Sequence, residues 1–107
     1  MHFRPKEIRI YETEEGRAPF GEWMDRQKAP VYGRVMARLE RVELGNLGYH
    51  RGVGDGVFEL KIDFGPGYGV YFGMDGNELV VLLIGGSKKT QRQDIETAKQ
   101  YWRNYNA

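Results

Sequence analysis

Polar and apolar residues alternate along Glu7-Ile8-Arg9-Ile10-Tyr11, the period of two expected of a half-buried strand, and this predicts a first strand. Ala18-Pro19 then opens a segment in which Phe20, Trp23 and Met24 recur at helical spacing. Pro30 opens another, in which Val31, Val35, Leu39 and Val42 share one face and Gly45-Asn46 supplies a stop. Joined by so little chain, the two helices read as an αα-hairpin. His50 to Gly56 is glycine-rich and reads as a loop.

Alternation resumes at Val57-Phe58-Glu59-Leu60-Lys61-Ile62-Asp63, with Phe58, Leu60 and Ile62 on one side and Glu59, Lys61 and Asp63 on a solvated one. After the Phe64-Gly65-Pro66-Gly67 turn, Tyr68, Val70 and Phe72 form one set and Gly69 and Tyr71 the other, which predicts a hairpin and places Gly69 on the face of Lys61. A glycine inside a strand costs about 0.5–1 kcal/mol and leaves a gap, so Gly69 calls for an explanation. Asp75-Gly76 marks a turn, and Leu79 to Ile84 is unbroken in its apolarity, as expected of a strand in the middle of the sheet and covered on both faces. Thr90 and Gln93 resemble a capping box, and Ile95, Ala98, Trp102 and Tyr105 continue on one helical face. The expected order is β-α-α-β-β-β-α: an α+β fold whose antiparallel-rich sheet packs against an N-terminal helix hairpin and a C-terminal helix.

The 107 residues are one domain's worth, with no internal repeat or linker, so a single domain over residues 1–107 is expected. No apolar run is long enough to cross a bilayer, no signal peptide is visible at Met1-His2-Phe3-Arg4, and there is no cysteine. These features predict a cytoplasmic protein without membrane contact. A net charge of +1 does not favour gripping nucleic acid by bulk charge, but basic residues concentrate late in the chain at Lys88, Lys89, Arg92, Lys99 and Arg103.

The chain carries no HExxH, no cysteine–histidine cluster, no GxSxG and no GxxxxGK[ST]; Gly85-Gly86-Ser87-Lys88-Lys89-Thr90 has the wrong spacing for the last of these. His2 lies at the terminus and reads as inert, and His50 in its glycine-rich loop reads as solvated rather than catalytic. Lys88-Lys89-Thr90-Gln91, between a strand end and a helix start, is either a solvated basic turn or an anion site, since lysines, glycine backbone and a helix N-terminus all favour phosphate. Lys61 and Arg51 would complete a basic concavity, and Tyr71 would either stack on a base or pack within the sheet.

Residues 56–72 (GVFELKIDFGPGYGVYF), 75–102 (DGNELVVLLIGGSKKTQRQDIETAKQYW) and 18–25 (APFGEWMD) together resemble the RelE/ParE superfamily of toxins, specifically the HigB-like addiction-module killer proteins. The resemblance covers nearly the whole chain. It implies a RelE-like fold and the toxin of a type II toxin–antitoxin module, neutralised by a helix-turn-helix antitoxin and reaching operator DNA only through it. It further implies a ribosome-dependent mRNA endoribonuclease needing neither metal nor cofactor. Carried over by position, the family's basic strand residue falls on Lys61, its K-K/S-T-Q segment on Lys88, Lys89, Thr90 and Gln91, and a common glutamate on Glu59, where it would orient Lys61 or Lys88 or form a cross-strand ion pair. Arg51, Tyr71 and Arg92 join the expected RNA-binding set. The family's GYRVYF strand falls on residues 67–72, where Gly69 replaces the usual arginine. That departure implies an attenuated or inactive toxin, because no glycine imitates a bidentate arginine on phosphate. Two alternatives stand beside this expectation: a ParE-like inhibitor of DNA gyrase, and a non-catalytic module that binds its antitoxin.

Overall fold

The structure, a computed structural model, describes residues 4–107; His2 lies outside the described residues. Five strands and three helices follow one another as β1 (Glu7–Ile10), α1 (Pro19–Asp25), α2 (Ala29–Glu43), β2 (His50–Gly54), β3 (Val57–Ile62), β4 (Tyr68–Asp75), β5 (Leu79–Ser87) and α3 (Gln91–Tyr105), with a 3-10 turn at Lys88–Thr90 before α3. The fold is mixed α+β. Its single sheet runs β1-β5-β4-β3-β2, an antiparallel meander from β2 to β5 with β1 added parallel to β5.

Prolines sit in the first turn of both α1 and α2, where a missing N–H costs nothing. The helices cover the same sheet face, α1 mainly over β5 and α2 over β3. Phe20, Trp23 and Met24 of α1 and Val31, Val35, Leu39 and Val42 of α2 meet Leu60, Ile62, Val70, Phe72, Val80 and Leu82 there. The opposite face lies under α3, where Ala98 packs with Tyr11, Val57, Tyr71, Val81 and Leu83, flanked by Ile95, Trp102 and Tyr105.

Four expectations are corrected. His50–Gly54 is a strand rather than a loop: it pairs antiparallel with β3, His50 opposite Leu60 and Arg51 opposite Glu59, so the order gains a strand. Backbone ladders do not need apolar side chains, and at this sheet edge glycines 52 and 54 conceal the pairing. The middle strand is β4, although β5 is covered on both faces as expected. The solvated face of β3 and β4 is roofed by α3, leaving Glu59 only 2% and Tyr71 only 1% exposed. The capping box does not form: the Thr90 hydroxyl donates to Asp94 at 2.6 Å, and Gln93 reaches Thr97.

Candidate active site

Two cross-strand rows on the α3 side of the sheet build the site. Arg51, Glu59 and Tyr71 stand side by side on β2, β3 and β4, and Lys61, Gly69 and Gly86 do so on β3, β4 and β5. Neighbours in such rows project to the same face and lie close enough to interact. Beyond the second row, the β3–β4 turn folds up to meet the end of β5, where the Lys88 N–H donates to the Gly67 carbonyl at 3.1 Å.

A cleft of about 510 Å³ opens there. Its walls are the Gly65–Gly67 turn, Tyr68, Ser87, Lys88, Gln91 and Tyr49, and Glu59, Lys61, Gly69 and Tyr71 also line it. Lys61 and Lys88 face this space, and neither forms an ion pair among the described residues.

Glu59 is the organising group. Its Oε1 accepts from the Arg51 Nε at 2.7 Å, and its Oε2 accepts from the Tyr71 hydroxyl and the Gln91 amide, each at 2.9 Å. Burial alone would raise its pKa, but the three donors and the Arg51 charge outweigh that and hold the carboxyl below its ordinary value. Tyr71 responds oppositely: burial first, then its bond to the carboxylate, push the phenol far above the usual range, so it remains a neutral donor. With its acceptors occupied and its basicity reduced, Glu59 is suited to fixing geometry rather than taking a proton from a ligand.

The glycine row explains how this carboxylate fits. A Cβ at Gly69 would lie 2.6 Å from Glu59 Oε2 and 3.0 Å from the Tyr71 hydroxyl, so a side chain there would require the Glu59 carboxylate to shift. At Gly86 a Cβ would collide with the carboxylate of Asp94. The Asp94 carboxyl is held above its ordinary pKa by burial, only partly offset by its bond from Thr90.

Of the residues expected from sequence, Lys61, Lys88, Gln91, Glu59, Tyr71 and Gly69 meet at the cleft, and Arg51 joins through Glu59. Lys89, Thr90 and Arg92 are not part of its lining. Tyr71 is buried and bonded to Glu59, so it is not placed to stack on a base, and Glu59 orients neither lysine. His50 Nδ1–H donates to the Gly48 carbonyl, and the ring lies near Phe58 and Phe72, on the face away from the cleft. Sequence reasoning passed over Tyr49, an aromatic residue isolated in a polar stretch, which was the available signal.

Residues 22–103 match the family described as Phage derived protein Gp49-like (DUF891). The chain belongs to that family. The matched segment runs from α1 to near the end of α3 and includes every residue that lines the cleft of this Gp49-like protein. The family is associated with toxin–antitoxin modules. The chain is also similar to an uncharacterized protein of Haemophilus influenzae, 43% identical over 81 residues that span 75% of this chain and 82% of that protein.

Proposed function

We propose that this Gp49-like protein is the toxin of a type II toxin–antitoxin module and an mRNA endoribonuclease of the RelE/HigB kind, acting on the ribosome, with its rate held down by Gly69. The observation that carries this reading is the convergence of Lys61 and Lys88, without ion-pair partners among the described residues, on a cleft wide enough for a nucleotide. In the proposed reaction the ribose 2′-oxygen attacks the adjacent phosphorus, the bond to the 5′-oxygen breaks, the 2′ proton leaves to a base and the 5′-oxygen gains a proton. Preorganised lysines stabilise the charge that builds on the phosphoryl oxygens. Arg51, anchored by Glu59, and the Gln91 amide supply further positive and donor character at the rim. A helix-turn-helix antitoxin is the proposed partner that silences the site.

An arginine at 69 would require the Glu59 carboxylate to shift but would add a bidentate phosphate donor; its absence is worth about 2.7–4 kcal/mol, or roughly 100–1,000-fold in rate, if it acts as other transition-state donors do. The test is production of the unaltered chain, of Gly69→Arg and of the Lys61→Ala/Lys88→Ala pair without antitoxin, with growth and mRNA 5′ ends followed together. Codon-phased ends that increase with Gly69→Arg and vanish with the lysine pair are expected. No ends above background in any version, Gly69→Arg included, would overturn the nuclease reading, and supercoiling changes in their place would indicate gyrase.

A further inference from the structure

Tyr49 is the most exposed aromatic side chain among the described residues, at 68%, yet its backbone is pinned from several sides. Its carbonyl accepts from Arg38 Nη2 at 3.0 Å and from the Lys61 N–H at 3.4 Å. Arg38 is itself only 7% exposed, bonds no carboxylate, and leaves its Nη1 without a partner among the described residues. A buried guanidinium without an acid is costly, and the return visible here is the placement of the segment before β2. Gly48 completes that arrangement. Its φ of +61° is in the left-handed region, and a Cβ there would stand 2.8 Å from Arg38 Nη1. The Gly48 N–H is held by the Asn46 side chain at 3.0 Å.

The chain thus fixes the base of the Tyr49 side chain and leaves the ring open on the wall of the cleft. The Lys61 ammonium stands 6.0 Å from the ring centroid. An open aromatic face beside a cation is the arrangement that seats a nucleobase while the cation meets its phosphate. Resting on the RNA reading above, we infer that Tyr49 is the base-stacking platform of the cleft and that it holds the nucleobase next to the phosphate met by Lys61 and Lys88. This role cannot fall to Tyr71, which is buried.

The probe is a single-stranded RNA hexamer carrying one 2-aminopurine, titrated with the full chain and compared with the same strand lacking that base. Base–aromatic stacking of the usual strength corresponds to about 5- to 140-fold in affinity, so Tyr49→Ala should weaken the base-bearing strand by that factor and lose the fluorescence quench. Tyr49→Phe should retain both, and neither variant should shift the melting temperature, because the ring is mostly outside the core. Equal weakening of the abasic strand by Tyr49→Ala, or no weakening at all, would overturn the stacking role. The lysine pair separates the two readings: if Lys61→Ala/Lys88→Ala abolishes binding while Tyr49→Ala does not, only the stacking inference falls. If the unaltered chain does not bind the hexamer, the stacking inference falls, and the nuclease reading is decided by the mRNA ends.

Discussion

Phe72 and Glu59 are almost equally buried, at 1% and 2% exposed, on opposite faces of the same sheet. Under α1 and α2, Phe72 sits in an apolar cluster with the His50 ring at its edge, so its position is held by packing. Under the start of α3, Glu59 sits at the edge of an apolar cluster and is held by three directed hydrogen bonds from β2, β4 and α3. One helix cannot roof a five-stranded sheet as two can, and a cleft remains where α3 begins. Burial on the first face makes a core, and burial on the second makes a preorganised polar site.

The sharpest break of this contrast is Phe72→Ala, which should cost about 3–5 kcal/mol through lost burial and a cavity, read as a lowered urea midpoint at unchanged slope. Glu59→Ala should cost less, about 2–3 kcal/mol, because it strands the buried Tyr71 hydroxyl and removes charge-assisted bonds. Its second signature is a fall in RNA affinity as Arg51 and Gln91 lose their common anchor, a change that Phe72→Ala need not show in the folded fraction.

A smaller effect lies in the acid limb of stability. Glu59 has a folded pKa below its unfolded one, so its contribution is fully present above about pH 4.3 and is lost as pH falls through the folded value. Stability measured from pH 7 downward should therefore drop less steeply in Glu59→Gln. Asp94 has the opposite sign: its folded pKa is raised by burial, so its contribution is present below its unfolded value and is lost as pH rises through the folded one. Asp94→Asn retains an acceptor for Thr90 and should give a small rise in melting temperature at pH 7 that disappears at pH 3. The converse result would place Asp94 among groups stabilised by ionisation.

Local pattern was enough to pair Lys61 with Gly69, because strand alternation and the glycine–proline turn fix that register, and the two residues do face each other. It also found the two-sided burial of β5 from an unbroken apolar run. It did not reveal β2, whose hydrogen bonds come from the backbone of a glycine-rich stretch. The burial of Glu59 was likewise illegible, since it depends on Gln91, 32 residues away, settling onto a carboxylate that resembles any solvent-facing strand residue. Gly69 was read as a missing group; three-dimensional packing adds that the vacated direction is occupied by Glu59. The fixed placement of Tyr49 was illegible too, since it depends on Arg38, eleven residues earlier on α2, bonding its carbonyl.

The sheet also carries an instruction about time. Strands β3, β4 and β5 each join the strand made just before, whereas Glu7–Ile10 aligns with Leu79–Leu82. Synthesis delivers β1 first, yet its slot does not exist until β5 has been made, and closing so long a loop carries an entropic cost before any contact repays it. We therefore expect the meander to assemble by local steps and Glu7–Ile10 to take the edge of β5 last.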